Sequence, residues 1–292
     1  MINVYDAILS DPAYFKQLSV KGMLWVNYHC PQTEDWVNLY SPFNFIIYTI
    51  SGKKLLSSVD KSETLTEGSL IFLKKGAIRH TRFFESGWHV IVFCIPDNYL
   101  QQSFNEYQPQ SPRHSIPPPL LNDAFIDIDT NNTTHAFFYS MLPYFIQATP
   151  PPETLLELKC RELMFNIFSQ QANQPLIAYI NSLNKGKNAV LAEVMEANYM
   201  YNLSLEEFAR INQRSLTAFK KDFMEVFHTS PGKWLIQRRL EYAEQLLITS
   251  DKSITEIACD SGFESVTHFG RVFKEKFNIA PLQYRKRATT NQ

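Results

Sequence analysis

Glycine is scarce in this chain of 292 residues, with only 9 in all. A loop that cradles phosphate needs several, because its backbone amides must converge without side chains in the way. No phosphate-loop motif, no Gly-x-Gly-x-x-Gly fingerprint and no Gly-x-Ser-x-Gly elbow occurs. Nucleotide-dependent chemistry and serine hydrolysis are therefore disfavoured. The four cysteines (Cys30, Cys94, Cys160, Cys259) are scattered, with no short Cys-x-x-Cys spacing. That fits a reducing cytoplasm and argues against a zinc site or a disulfide framework. Long apolar runs are missing as well. Phe45–Ile50 and His89–Ile95 fall far below the roughly 20 residues a membrane helix needs. Met1-Ile2-Asn3-Val4-Tyr5-Asp6 shows no positive region leading into an apolar run, so no signal peptide is expected.

What is present points to a folded protein of one or two domains. Hydrophobic residues make up 45% and aromatics 14%, enough for a sizeable core. Charge is near neutral overall but uneven. Residues 1–184 hold 12 Lys+Arg against 16 Asp+Glu, a net of −4; residues 185–292 hold 16 against 13, a net of +3. A basic C-terminal part beside an acidic N-terminal part hints that the former meets a polyanion.

The segment from Leu203 to Tyr284 repeats itself. Ser204-Leu205-Glu206-Glu207-Phe208-Ala209 returns as Ser253-Ile254-Thr255-Glu256-Ile257-Ala258 at an offset of 49. Phe219, Phe223, Phe227, Pro231 and Trp234 return as Phe269, Phe273, Phe277, Pro281 and Tyr284 at an offset of 50. A one-residue slip inside a turn is what a duplicated helix-turn-helix tolerates. Ser204 with Glu207, and Ser253 with Glu256, each fit a capping box that starts a helix. Ala209 and Ala258 leave room for a close helix crossing. The second helices are expected over Ser215–Phe227 and Ser265–Phe277, with their phenylalanines on the inner face at i, i+4 spacing. Ser230-Pro231 opens a longer helix to about Ile248, with serine as N-cap and proline at the first position.

Residues from about 20 to 100 read as β-structure: short aromatic and β-branched runs separated by Gly-containing turns, as in a small barrel or sandwich. Pro109 to Pro119 reads as an exposed connector, since proline fixes φ and lacks an amide donor. Helical patterns follow over Thr133–Ala148, with Phe137, Met141, Leu142 and Phe145 on one face, and over Glu153–Gln171. The latter carries Leu155, Leu156, Leu158, Leu163, Phe165 and Ile167 in a broad apolar stripe. These helices serve either as core or as a dimer surface. Asn184-Lys185-Gly186-Lys187 is placed at the domain boundary, giving domains of 1–184 and 185–292, with a helix over Asn188–Asn198 leading into the second.

Ser253-Ile254-Thr255-Glu256-Ile257-Ala258, Gly262-Phe263-Glu264-Ser265, His268-Phe269, Arg271-Val272-Phe273-Lys274, Phe277 and Pro281-x-x-Tyr284-Arg285 together resemble the signature of AraC/XylS-family transcription regulators. Thr229-Ser230-Pro231-Gly232-x-Trp234-Leu235, Arg238-Arg239-Leu240 and Leu246-Leu247 agree in the first half. The match covers about residues 188–287. The N-terminal half is similar, more loosely, to the cupin-like effector domain of such regulators through Leu65–His80, where Lys74-Lys75 replaces the usual proline pair. The implied fold class is α+β: a cupin-like β-barrel with following helices, then an all-α domain of two helix-turn-helix units joined by a long helix.

The resemblance implies that Thr217, Lys220 and Lys221 of the first recognition helix, and Thr267, His268, Gly270 and Arg271 of the second, face base edges. Arg271 suits a bidentate pairing with guanine, and the two lysines reach guanine or phosphate. Lys233, Arg238, Arg239, Lys274 and Lys276 are phosphate candidates. Partners implied are promoter DNA, RNA polymerase, an effector, and a second copy of the chain through helices 133–171. No cofactor and no membrane are called for. The regulator would be cytoplasmic and an activator, controlled by a small molecule at the barrel, with Tyr48, His80 and Trp88, and secondarily Trp25 or Trp36, as lining. Control by a protein partner is the alternative; it would leave a filled barrel and an exposed apolar patch on the helices. A cupin-type enzyme is a remote third reading. His80 and His89 lie near Glu85, but neither His80-Thr81-Arg82 nor Trp88-His89-Val90 supplies the His-x-His that a cupin metal needs.

Overall fold

The structure is a computed structural model that describes residues 1–30, 32–58, 61–83, 87–107 and 123–290. The proline-rich segment 109–119 and Glu85 lie outside the described residues. By internal contacts the chain divides into Met1–Glu193 and Val194–Gln292. Among the described residues no helix is long and apolar enough to cross a membrane.

The first unit contains strands β1 (Ile2–Asn3), β2 (Lys16–Val20), β3 (Met23–His29), β4 (Trp36–Ser41), β5 (Asn44–Gly52), β6 (Lys54–Ser57), β7 (Ser62–Leu65), β8 (Leu70–Leu73), β9 (Gly76–Arg82), β10 (Trp88–Ile95) and β11 (Phe125–Asp127). Its helices are α1 (Val4–Ser10), α2 (Asp97–Tyr107), α3 (Asn132–Met141), α4 (Glu153–Phe168) and α5 (Gln174–Ser182). The strands form two sheets, ordered β1-β4-β9-β6-β7 and β11-β8-β5-β10-β3-β2. The expected barrel is thus an open sandwich, cupin-like in plan but with free sheet edges.

The six-stranded sheet is buried on both faces, and side-chain alternation explains how. Leu24, Val26, Phe45, Ile47, Ile71, Leu73, Val90 and Val92 point between the sheets, where they meet Leu56, Leu65 and Ile78 of the five-stranded sheet. The alternate residues Trp25, Ile46, Tyr48, Phe72, Ile91 and Phe93 point the other way, into a core shared with α2–α5. A strand covered on both sides reads as a continuous apolar run, which is why Phe45–Ile50 carries no visible period.

Aromatic stacking dominates the sheet–helix core. Trp25 lies on Phe93 at 4.2 Å and Tyr48 on Phe138 at 4.3 Å between centroids. The predicted helix over 133–148 ends at Met141 and continues as a 3-10 turn through Phe145, because Pro143 cannot donate an amide to the helix. The predicted stripe on the next helix divides. Leu156, Cys160, Leu163, Met164, Ile167 and Phe168 are buried, whereas Leu158 and Phe165 are 61% and 47% exposed. Leu155 is half-buried.

The second unit, beginning within α6 (Lys187–Asn198), contains α7 (Leu205–Ile211), α8 (Leu216–Phe227), α9 (Pro231–Thr249), α10 (Ile254–Asp260), α11 (Val266–Phe277) and α12 (Pro281–Thr290). It is the expected pair of helix-turn-helix units joined by a long helix. Phe138 is fully buried in the stacked core of the first unit. Phe138→Ala should therefore destabilise the protein by about 3–5 kcal/mol, read as a lower urea midpoint by circular dichroism; a cost below about 1 kcal/mol would show that this core collapses without it.

Candidate nucleic-acid interface

The two helix-turn-helix units begin and end their helices by the same local chemistry. The capping boxes are both formed: Ser204 accepts from the Glu207 amide while Glu207 accepts from the Ser204 amide, and Ser253 and Glu256 do the same. Two otherwise unpaired amides are satisfied at each start. Ser215 and Ser265 cap α8 and α11 by accepting from the Ala218 and His268 amides. Both helices stop at a residue with positive φ, His228 (54°) and Asn278 (62°). Such left-handed C-termini close the helix and turn the chain. Ser230 occupies the N-cap position of α9, but its side chain makes no capping hydrogen bond.

The inner faces repeat as well. Phe223 stacks on Phe227 at 4.4 Å, and Trp234 closes over both at 5.8 and 4.9 Å. In the second unit Phe273 and Phe277 lie 4.4 Å apart, with Tyr284 at 5.5 and 5.4 Å. These aromatic wedges fix each reading helix against α9 or α12. With the inner faces committed, Thr217, Lys220, Lys221 and Met224 of α8 face outward and are exposed, as are Thr267, His268, Arg271 and Lys274 of α11. They recur at i, i+3 or i+4, and i+7, a single stripe on each helix. Gly270 lies in the second stripe with open space where a Cβ would be. No packing contact demands a glycine there, and its effect is to leave the helix backbone open to close approach. Arg271 pairs with Glu275 at 2.8 Å, both groups well exposed. Such a pair holds the guanidinium loosely and leaves it able to exchange partners.

Within Val194–Gln292, the two helix-turn-helix units are tied together by Arg239, a residue expected from sequence at phosphate. Arg239 of α9 donates from Nε to the Tyr199 carbonyl at 2.7 Å and from a terminal nitrogen to the Tyr201 carbonyl at 2.9 Å. Burial pushes its pKa down to about 10. The loop it holds leads into α7, and the same loop touches the second unit. Gly262, in the turn between α10 and α11, has φ +82°, and a Cβ there would sit 2.6 Å from the Met200 carbonyl oxygen and 3.0 Å from Arg239 Nε. Asn202 also donates to Glu264 at 2.6 Å.

Arg238 bonds Glu196 and Glu241 at 2.6 and 3.0 Å and lies over the Tyr199 ring. Lys276 reaches Glu241 at 3.3 Å. Lys233 and Lys274 are exposed at the surface. Of the five expected phosphate ligands, Arg239 is an internal tie, Arg238 and Lys276 are engaged within the unit, and Lys233 and Lys274 face out. Met224, 48% exposed, shares the outward stripe of α8 with Lys220 and Lys221.

In the first unit, the expected lining residues do not converge. Tyr48 points to the helix side, donating or accepting at His135 Nδ1 at 2.7 Å. Trp25 shares that side, with its indole nitrogen 3.2 Å from Cys160 Sγ. Trp88 and His80 lie on the sandwich side, rings 6.0 Å apart, and the Trp88 indole donates to Thr49 Oγ1 at 3.2 Å. Trp36 is exposed, with the Arg79 guanidinium 4.5 Å above its ring. One pocket among the described residues of the sandwich, lined by Ile8, Tyr28, Phe45, His80 and Val92 among others, has about 20 Å³ of free space, room for about one water. A groove of about 180 Å³ opens instead beside β11 and α5, lined by Lys61, Lys74, Phe125, Asp127 and Tyr179 among others. Burial lowers the Lys74 pKa to about 8.

The N-terminal regulatory domain of ExsA, as a family model, matches residues 44–179, and a helix-turn-helix domain model matches residues 208–287. The thermoregulatory protein LcrF of Yersinia pestis is 27% identical over 247 residues, covering 82% of this chain and 89% of its own. The transcriptional regulator ExsA of Pseudomonas aeruginosa is 26% identical over 276 residues, covering 93% and 95%. Among solved structures, fatty-acid-bound ToxT of Vibrio cholerae aligns over 90% of this chain and 94% of its own, at 17% identity and a TM-score of 0.45.

Burial and the nearby Lys54 charge push the His80 pKa down to about 3. Between its unfolded pKa near 6.5 and that value, the unfolded chain binds a proton that the folded one refuses. Stability contributed by neutral His80 is therefore full above about pH 6.5 and declines as pH falls toward 3. Urea midpoints followed by tryptophan fluorescence should fall across that window, and His80→Gln should flatten the fall; identical slopes would remove His80 as the cause.

Proposed function

We propose that this chain, which belongs to the AraC family of transcription regulators, activates transcription in the cytoplasm by setting α8 and α11 into two successive major grooves of promoter DNA. The observation that carries this reading is the pair of outward stripes on two identically capped helices, held in one body by α9 and Arg239. At about 1.5 Å per residue, the 19 residues of α9 span about 28 Å, close to the roughly 34 Å between successive grooves on one face. Arg271 offers a bidentate fork to guanine O6 and N7. Lys220 and Lys221 reach guanine or phosphate, while Thr217, Thr267 and Met224 suit thymine methyls. Gly270 lets the backbone approach. Lys233, Lys274 and the helix N-termini take phosphates. LcrF and ExsA are named as regulators, and activation through RNA polymerase is the output we assign here.

The first unit would set when this happens. A small molecule would occupy the Lys61–Lys74–Tyr179 groove, which at about 180 Å³ is roomier than the pocket of about 20 Å³ between the sheets. Leu158 and Phe165, on the outer side of α4, favour a second reading in which a protein, either a partner or another copy of this chain, docks on the helices.

Selection from random duplexes with the full chain tests the DNA assignment. Wild type should enrich a two-part motif, and Arg271→Ala should relax one half only, at a cost of about 1–3 kcal/mol. Uniform weakening across all sequences would make Arg271 a phosphate ligand, and enrichment of no motif would overturn the two-groove reading.

A further inference from the structure

A lysine amine and a cysteine thiol meet at one end of the sandwich. Lys54 stands in β6 of the five-stranded sheet and is 2% exposed. Cys30 follows β3 of the six-stranded sheet and is half-buried. Lys54 Nζ lies 3.3 Å from Cys30 Sγ and also donates to Gln32 Oε1. The Cys30 amide donates to the Trp88 carbonyl at 2.8 Å, and Lys54 Nζ sits 5.6 Å from the Trp88 ring. Two hydrogen bonds and the Trp88 ring thus hold the amine beside the sulfur. Its hydrogen-bond partners are a thiol and an amide, not carboxylates, a costly setting for a buried ammonium. Burial accordingly moves the Lys54 pKa below the ordinary lysine range, which raises the share of neutral, nucleophilic amine. His80 occupies the same inward face, since Leu56 pairs with His80 in the β6–β9 ladder. Its Nε2 is buried and without a hydrogen-bond partner, so the inward face that carries Lys54 also holds an unsatisfied polar atom.

We propose that Cys30 and Lys54 form an oxidation-sensitive pair that a peroxide converts into a covalent sulfenamide staple between the two sheets. The Cys30 sulfur attacks one peroxide oxygen. An S–O bond forms, the O–O bond breaks, and for hydrogen peroxide the leaving hydroxide departs as water with the thiol proton. Sulfur is oxidised by two electrons and the peroxide reduced by two. The neutral Lys54 amine then attacks the sulfenic sulfur. An S–N bond forms, the S–O bond breaks, and hydroxide leaves as a second water with a proton from nitrogen. Sulfenic acids condense with nitrogen in this way, and the contact at 3.3 Å lets the bond form with little displacement of either strand. Partial exposure of Cys30 admits the oxidant, while burial of Lys54 keeps other electrophiles from the amine. The staple would lock the end of β3 to β6.

The full chain treated with hydrogen peroxide, digested without reductant and read by mass spectrometry tests this. The expected product joins the Cys30 and Lys54 peptides, two hydrogens lighter than their sum, and dithiothreitol separates it again. Cys30→Ser and Lys54→Met should each abolish it, with both variants first checked for wild-type circular dichroism. In Lys54→Met, dimedone should trap the stranded sulfenic acid. Sulfenic, sulfinic or sulfonic acid at Cys30 in wild type with no crosslink would overturn the proposal. A crosslink carrying an additional oxygen that dithiothreitol still cleaves would be an S–O–N bridge and would overturn the S–N assignment. The outcome stands apart from DNA binding, since the readout is a bond.

Discussion

Two hydrogen bonds from one guanidinium hold the reading domain in a single arrangement. Arg239 leaves α9 sideways and donates to the carbonyls of Tyr199 and Tyr201. Those carbonyls belong to the stretch between α6 and α7, where the Tyr201 carbonyl also accepts from the Leu203 amide at 2.8 Å, and buried carbonyls must be paired. A charged donor makes such bonds stronger than neutral ones. The same stretch lies against the turn of the second unit so closely that only a glycine fits at position 262. The first unit's turn instead uses Gln213, at a φ of 54°. Arg239 therefore joins three things at once: the lead into α7, the connecting helix α9, and the turn that launches α11. Two helix-turn-helix units on a flexible tether would each find a groove alone. Tied in this way, they can demand two grooves at a set distance.

The regulatory unit depends on a different constraint. Its six-stranded sheet is covered on both faces, so every inner strand position is committed to one of two cores. A large cavity on either face would cost packing in one of them, and the pocket described between the sheets is about one water in size. Places that face solvent lie at its margins. The groove by Tyr179, the outer side of α4 and the Cys30–Lys54 corner are such places, and each involves residues near the ends of strands or on outward helical faces.

Legibility in the sequence followed the range of the forces involved. The duplication, both capping boxes and the inward phenylalanines were readable because capping and i, i+4 packing are local. The extra residue in the second turn was visible as a change of offset; Gln213 and Gly262 still correspond at 49, both with positive φ, so the insertion lies between Phe263 and Ser265. The sheet faces were not readable. Tyr48 and Trp88 look equivalent in a strand covered on both sides, yet one faces helices and the other the opposing sheet, so they share no cavity. The stripe on α4 was drawn too broadly, because Cys160 and Met164 take inner positions that Leu158 and Phe165 were expected to hold. Arg239 was taken for a phosphate ligand for a related reason. Nothing beside it in sequence distinguishes it from Arg238, and its partners are backbone atoms about 40 residues away.

The central claim is that the two reading helices are held at a fixed separation, and half-site spacing measures this most directly. Once a binding site is in hand, duplexes with one, two, five or ten base pairs inserted between its halves can be compared for affinity at constant salt. Wild type should bind only the native spacing tightly, losing most of its affinity with a single insertion, whereas Arg239→Met should bind more weakly and discriminate far less between spacings. A wild-type affinity that is indifferent to insertions would contradict the account, because it would mean that each unit reads its half independently.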